Sequence, residues 1–320
     1  MYRFALALLT ATFASLAPAQ DFPSGTVRLV VPYPPGGGVD GLARPLAERL
    51  SALWGKPVIV ENRAGAATII GTEHVVQSAP DGQTLLFTSD STVTSNPHLF
   101  PKLPYDPLKD LVPVTQLIDL YQMVVVHPSV KADTMKEFVA LAKSSPAPLN
   151  YGSYGSGSQP HLLFEALKLE TGIALTHVPY KGIAPAITAT LGNEVQATLG
   201  GAATTGQHFT AGRMKPLAIA APRRIPQWPN VPTLREAGYP DIVPRSWFGI
   251  LAPRGTPPAV VEKISRDIAS IMADPAFDNA QVTGKGYQRI GSTPAEFAAF
   301  IRQDYDQKAR VIKASGIKAD

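Results

Sequence analysis

"VVPYPPGGGVDGLARPLAERL", residues 30–50, sets an apolar run, a Pro/Gly turn and a helical pattern in immediate succession. Val27, Leu29, Val30 and Val31 read as a buried strand, and Leu42, Leu46, Leu50 and Leu53 then share one helical face. The same strand–turn–helix pattern returns in "PVIVENR" with "TIIGTEHVVQSAPDG", and a third strand follows in "QTLLFTSD". Strands alternating with helices in this way predict an α/β fold with a mostly parallel sheet.

The turn itself invites a specific reading. Gly36 to Gly41 spells G-x-G-x-x-G, and Glu61 closes the next apolar run twenty residues on, as in a dinucleotide-binding unit. Three features oppose it. Pro34 and Pro35 lengthen and stiffen the turn, Gly41 falls inside the helix start, and an export signal precedes the domain. The physics of the stretch survives. Glycines let backbone N–H groups approach a ligand, and the following helix aims its free N–H groups and positive dipole end at it. Asp40 reads as the N-cap, so Pro45 falls just past the free first turn and predicts a later start or a bend. A second stretch, "NYGSYGSGSQPHLLFEAL" (150–167), repeats the logic with Pro160 in the first helical turn. It is neither a nucleophile elbow nor a P-loop, because no G-x-S-x-G and no G-K-[ST] is present. Two such loops, one in each half, predict a two-sided anion cleft.

The N-terminal "MYRFALALLTATFASLAPAQ" has a positive n-region at Arg3, an apolar h-region over 4–16 and Ala17-Pro18-Ala19 as a cleavage site. It predicts a signal peptide over 1–19 and a periplasmic or extracellular mature chain. Lys and Arg exceed Asp and Glu by four, or by three once Arg3 is removed, with no run of like charge. Such a balance does not argue for nucleic acid as partner, and none is expected; it mildly favours a small anion. The absence of cysteine excludes thiol catalysis and Cys-ligated metal, and the six histidines show no metal-ligand spacing; no cofactor is expected.

The Pro-rich stretch 96–118 marks a domain edge, and "YQMVVVHPSV" enters a second α/β unit that ends in Pro-rich 222–245. "SWFGILAP" is a returning strand, followed by two helices. The predicted organisation is 20–118 with 247–320 in one lobe and 119–246 in the other, joined by two strand-like hinge crossings around a cleft.

The blocks "VVPYPPGGGVDGLARPLAERLSALWGKPVIVENRAGAATIIGTEHVVQSAPDG", "LPYDPLKDLVPVTQL", "LNYGSYGSGSQPHLL", "VPYKGIAPAI" and "GILAPRGTP" stand in one order along the mature chain. Together they resemble the substrate-binding proteins of tripartite tricarboxylate transporters, the TctC or Bug family. The resemblance implies a two-lobed, type II periplasmic-binding-protein (Venus flytrap) fold. It implies a monomeric, non-enzymatic receptor that captures an organic carboxylate (a di-, tri- or aromatic acid) for an inner-membrane permease. Carried onto this sequence, it implies a first-lobe loop of Tyr33, Pro35, Gly36, Gly37, Gly38, Val39 and Asp40, with Thr68, Ser89 and Asp90 facing the same cleft. The second-lobe loop is Ser153, Gly155, Ser156, Gly157 and Ser158, with His161 one turn on. Tyr180 and Lys181 belong to the P-Y-K-G block. Many family members carry an acid near "NEVQATLGGAATT", where this chain has Gly200, Ala202 and Thr204; small neutral residues there suggest a roomier wall with no fixed negative charge.

Two other classes are open to the sequence. An exported hydrolase would need a converging carboxylate pair, for which Asp40 and Asp90 are the candidates. A ligand-sensing receptor would present the same closed form to a signalling partner instead of a permease. Trp247 and Phe248 suit hinge packing as well as the cleft wall, and Arg245 could reach a ligand carboxylate bidentately but reads better as a surface arginine.

Overall fold

The computed structural model describes residues 22–318, except 181, 241, 243 and 244 and the side chains of 202 and 203. The signal peptide expected at 1–19 and Lys181 therefore lie outside the described residues. The chain runs β1 (Val27–Val31), α1 (Gly38–Trp54), β2 (Val58–Asn62), α2 (Ile69–Val76), β3 (Thr84–Ser89), α3 (Asn96–Leu99), α4 (Pro107–Asp110) and β4 (Leu111–Leu120). It continues through β5 (Gln122–Val126), α5 (Met135–Ser144), β6 (Leu149–Ser153), α6 (Gln159–Thr171), β7 (Leu175–Pro179), α7 (Ile183–Leu191), β8 (Ala197–Gly201), α8 (Ala202–Thr210) and β9 (Lys215–Ile219). It returns through β10 (Trp247–Pro253), α9 (Pro258–Ala273), α10 (Pro275–Phe277), β11 (Tyr287–Arg289) and α11 (Pro294–Ser315).

Two sheets result, ordered β2-β1-β3-β10-β4-β11 and β7-β6-β8-β5-β9. Within each, the βα units pair in parallel, β1 with β2 and β3, and β6 with β7 and β8. The strand that arrives from the other sheet runs the opposite way: β5 is antiparallel to β8 and β9, and β10 to β3 and β4. A chain that crosses at the cleft enters the next sheet at its carboxyl edge and must run away from it, which reverses that strand. The central strands β1, β3, β5 and β10 are covered on both faces and are mostly apolar and buried. Leu29 and Val31 face α1 and α9 in one core, while Val30 joins Trp247, Phe297 and Ile301 on the other side. Val124 and Val126 likewise oppose Met123 and Val125.

Several expectations need correction. The Pro-rich stretch 96–118 is not irregular throughout, because it contains most of β4. Pro113 sits where the β4–β10 register shifts, the place where a strand tolerates a missing N–H. Helix α1 starts earlier than expected, with Gly37 and not Asp40 as its N-cap, which puts Pro45 in the helix interior. Leu42, Leu46 and Leu50 are buried, but Leu53 is exposed at the helix end, and Trp54 packs on the core in its place.

Helix α11 opens with a capping box between Thr293 and Glu296. Its first half packs on the first sheet through Phe297 and Ile301. Its second half reaches the other sheet's core through Val311 and meets Leu162 of α6 through Ile312.

Candidate functional site

The loops that leave the carboxyl ends of β1, β2, β3, β6, β7 and β8 converge on one cleft of about 1090 Å³. Ligands bind at this edge of open α/β sheets because helix N-termini gather there. From the first half come Tyr33, Pro35, Gly36, Gly37, Gly38, Val39, Thr68, Ser89 and Asp90; from the second come Ser156, Gly157, Ser158 and Thr204. Of the other residues singled out in the sequence, the buried Asp40, Ser153, His161 and Gly200 stand behind this surface, the partly exposed Gly155 and Tyr180 lie off it, and Ala202 opens α8.

Those behind the wall have structural partners. Asp40 is at the third position of α1 and reaches back to the Gly36 N–H at 2.9 Å. Arg44 donates to it from Nε and Nη2 at 2.9 and 2.8 Å, and Asn62 donates at 2.9 Å. Burial pushes this carboxyl's pKa up, but Arg44, the Gly36 amide and Asn62 together hold it below the usual value. Asp40 thus fastens the Pro/Gly turn and leaves the amides of the first helical turn to the cleft. Behind the second loop, the His161 and His177 rings stack at 3.8 Å. His177 Nε2 is 2.6 Å from Ser153 Oγ, and His161 Nδ1 accepts from the Gly157 N–H at 3.2 Å. Gly157 has φ of +71°, and a Cβ there would run into Leu99.

The first-half wall is rich in hydroxyls. Tyr33 Oη lies 2.8 Å from Ser89 Oγ, 3.3 Å from Ser91 Oγ and 3.2 Å from Thr92 Oγ1. Thr68 ends a run, Ala66-Ala67-Thr68, in which all three residues have positive φ (44°, 50° and 80°). Such backbone is costly for residues with a Cβ. Here it is pinned by Asn96, which donates to the Ala67 carbonyl at 2.7 Å, and by Thr92 Oγ1, 3.0 Å from Thr68 Oγ1.

Asp90 forms the floor and is itself paired. Its Oδ2 accepts from Lys308 Nζ and from Gln159 Nε2, both at 2.7 Å, and its Oδ1 accepts from Ser246 Oγ at 3.2 Å. Lys308 is fully buried and also donates to Asp304 at 3.0 Å and to Thr94 at 2.9 Å; Asp304 in turn accepts from Trp247 Nε1 at 2.9 Å. Burial disfavours the ammonium, yet Asp304 and Asp90 hold the Lys308 pKa above the usual lysine value. Both carboxylates that a hydrolase would need, Asp40 and Asp90, are therefore saturated by cations and donors.

Sequence reading overlooked Gln122, Tyr154, Gln159, Ser246, Lys285 and Tyr287, all on the cleft surface. Phe248 lines it as well, whereas Trp247 is buried against Phe297. Arg245 is not a plain surface arginine: it pairs with buried Asp119, and its guanidinium lies 4.3 Å over the Phe300 ring.

The family model described as "Tripartite tricarboxylate transporter family receptor" matches residues 42–317. The chain belongs to that family. Among relatives of this receptor, BugT of Bordetella pertussis is 36% identical over 312 residues, which cover 97% of this chain and 95% of BugT. Rpa4515 of R. palustris, solved with adipate, is 30% identical with a TM-score of 0.79 and covers 93% of this chain and 99% of its own. MatC from Rhodopseudomonas palustris, solved with malate, is 30% identical with a TM-score of 0.75, over 91% of this chain and 100% of its own. This chain thus shares with Rpa4515 and MatC a two-lobed α/β periplasmic-binding-protein fold. Its family is one of solute-binding proteins, not enzymes. Among the described residues, no helix is long and apolar enough to cross a membrane.

Proposed function

We propose that this receptor captures an organic carboxylate in the interlobe cleft of the periplasm and presents it to the permease subunits of a tripartite tricarboxylate-type transporter. One observation carries the reading: the amide-rich starts of α1 and α6 face one cleft whose floor carboxylate, Asp90, is already paired with the buried Lys308. A carboxylate there meets helix-end amides and neutral hydroxyls, with the floor charge partly offset by Lys308, which Asp90 shares with Asp304. The acids bound by Rpa4515 and MatC support the same class. We further propose that the mature chain starts after residue 19, that it is a monomer, and that 20–118 with 247–320 and 119–246 act as the two closing lobes. Ligand that bridges the Gly36–Gly38 and Ser156–Ser158 loops stabilises the closed form by its differential affinity.

The test is a thermal-shift screen of residues 20–320 against mono-, di-, tricarboxylic and aromatic acids. A ligand at a hundred times its Kd adds about 2.7 kcal/mol to stability. Gly37→Leu is the control, since a Cβ at Gly37 meets nothing closer than 3.9 Å and φ there is −76°. We expect a shift with one class of acid that Gly37→Leu abolishes without changing the ligand-free melt. A shift retained in Gly37→Leu would place the site elsewhere, and a flat screen would remove carboxylates as the ligand class.

A further inference from the structure

The cleft has a third wall, supplied by neither glycine loop. Residues 283–289 return from α10 and lay β11 against β4, so that Tyr287 pairs with Leu120, the last residue before the chain crosses. The turn that delivers it is tightly fixed: a Cβ at Gly284 would overlap the Asn279 carbonyl, and Gly286 has φ of +73°. The Tyr287 ring stands edge-on to Phe248, and its hydroxyl lies 3.5 Å from where a Cβ on Gly38 would be. It therefore sits beside the first amides of α1. Tyr287 donates to no protein atom among the described residues, and it lines the cleft. Burial raises its pKa, so the phenol stays a neutral donor.

Lys285 is the only cation on the described cleft surface. Its Nζ donates to Gln281 Oε1 at 2.6 Å and lies 3.5 Å from the Gly41 carbonyl. That carbonyl is available because Pro45, four residues on in α1, has no N–H to give it. An ammonium has three N–H donors, so these two acceptors leave one for the cleft.

We infer that Tyr287 and Lys285 complete the first-lobe carboxylate site, the phenol as a direct donor beside the Gly38 amide and the ammonium as its charge. The inference rests on the carboxylate reading above and sharpens it. Among the described residues, the cleft offers its ligand one charged end, at α1, and one neutral end, at Ser156, Ser158 and Thr204. The best ligand class is an acid whose obligatory carboxylate is held at α1 and whose far end is bound by hydroxyls and amides.

The test is calorimetry of residues 20–320 with succinate, malate, adipate, citrate and benzoate at low and high NaCl, on wild type, Gly37→Leu, Tyr287→Phe, Lys285→Met and Lys285→Arg. We expect Tyr287→Phe to weaken binding of the acid that wild type prefers by about tenfold, the size of one hydrogen bond to a charged group. Lys285→Met weakens it by roughly three- to tenfold at low salt and flattens its salt dependence, and Lys285→Arg restores both. Unchanged ligand-free melts separate these effects from damage to the fold. If Gly37→Leu abolishes binding while Tyr287→Phe and Lys285→Met stay within twofold of wild type, the carboxylate site stands and this inference falls. If wild type binds none of the five acids, the carboxylate reading falls and this inference with it.

Discussion

Asp40 illustrates how a residue shapes a ligand site without lining it. Its carboxylate spends every lone pair on Gly36, Arg44 and Asn62, and the turn between β1 and α1 is rigid as a result. Asp40→Ala leaves those donors unpaired, and we expect a loss of about 1–3 kcal/mol in denaturant unfolding together with weaker acid binding. The effect carries a pH signature. The folded pKa lies below the ordinary value of 3.8, so the contribution is complete above 3.8 and disappears as pH falls through the folded value. The stability gap between wild type and Asp40→Asn, followed from pH 7 downward, should be constant until about pH 4 and then close.

At the scale of the element, α1 contains a proline that costs it an internal hydrogen bond. We expect Pro45→Ala to stabilise the protein by about 1–2 kcal/mol in a urea melt, the regained helix propensity less the added freedom of the unfolded chain. It should also weaken acid binding, because the Gly41 carbonyl then turns to residue 45 and lets Lys285 go. The elements themselves were largely legible, since strands buried on both faces print as apolar runs, as β1, β3 and β5 do. Strand β4 was hidden because Pro113 and its proline neighbours look like a linker, and only pairing with β10 shows that the bulge accommodates it. Strand β11 is three residues long and has no local pattern to find. The two glycine loops announce themselves by composition. Tyr287 and Lys285 do not, because they reach the cleft only where β11 pairs with the distant β4. The N-cap of α1 was misplaced because Asp40 is a favoured capping residue, yet here it serves from the third position.

Across the whole molecule, one buried polar cluster ties the pieces together. Lys308 of α11 joins Asp90 at the end of β3, Gln159 at the start of α6 bonds Asp90 and the Arg245 carbonyl, and Trp247 of the returning strand bonds Asp304. Removing the cation leaves two buried carboxylates facing each other. We expect Lys308→Met to cost about 3–5 kcal/mol in denaturant unfolding, and Asp90→Asn/Asp304→Asn/Lys308→Met to recover most of it. Such a cluster has no sequence signature, because its members lie on β3, α6, α11 and the second crossing.

The reversed strand β10 also sets an order of assembly. The second sheet is drawn wholly from 122–219, so all its strands are present before β10 appears, whereas the first sheet is split by β10 into β2-β1-β3 on one side and β4 on the other. A chain that emerges amino end first therefore completes the later domain before the earlier one. Until residues 247–253 arrive, β3 and β4 each hold an unpaired edge of main-chain donors and acceptors, the kind of template on which foreign strands add. Truncation before Trp247 leaves both edges open for good.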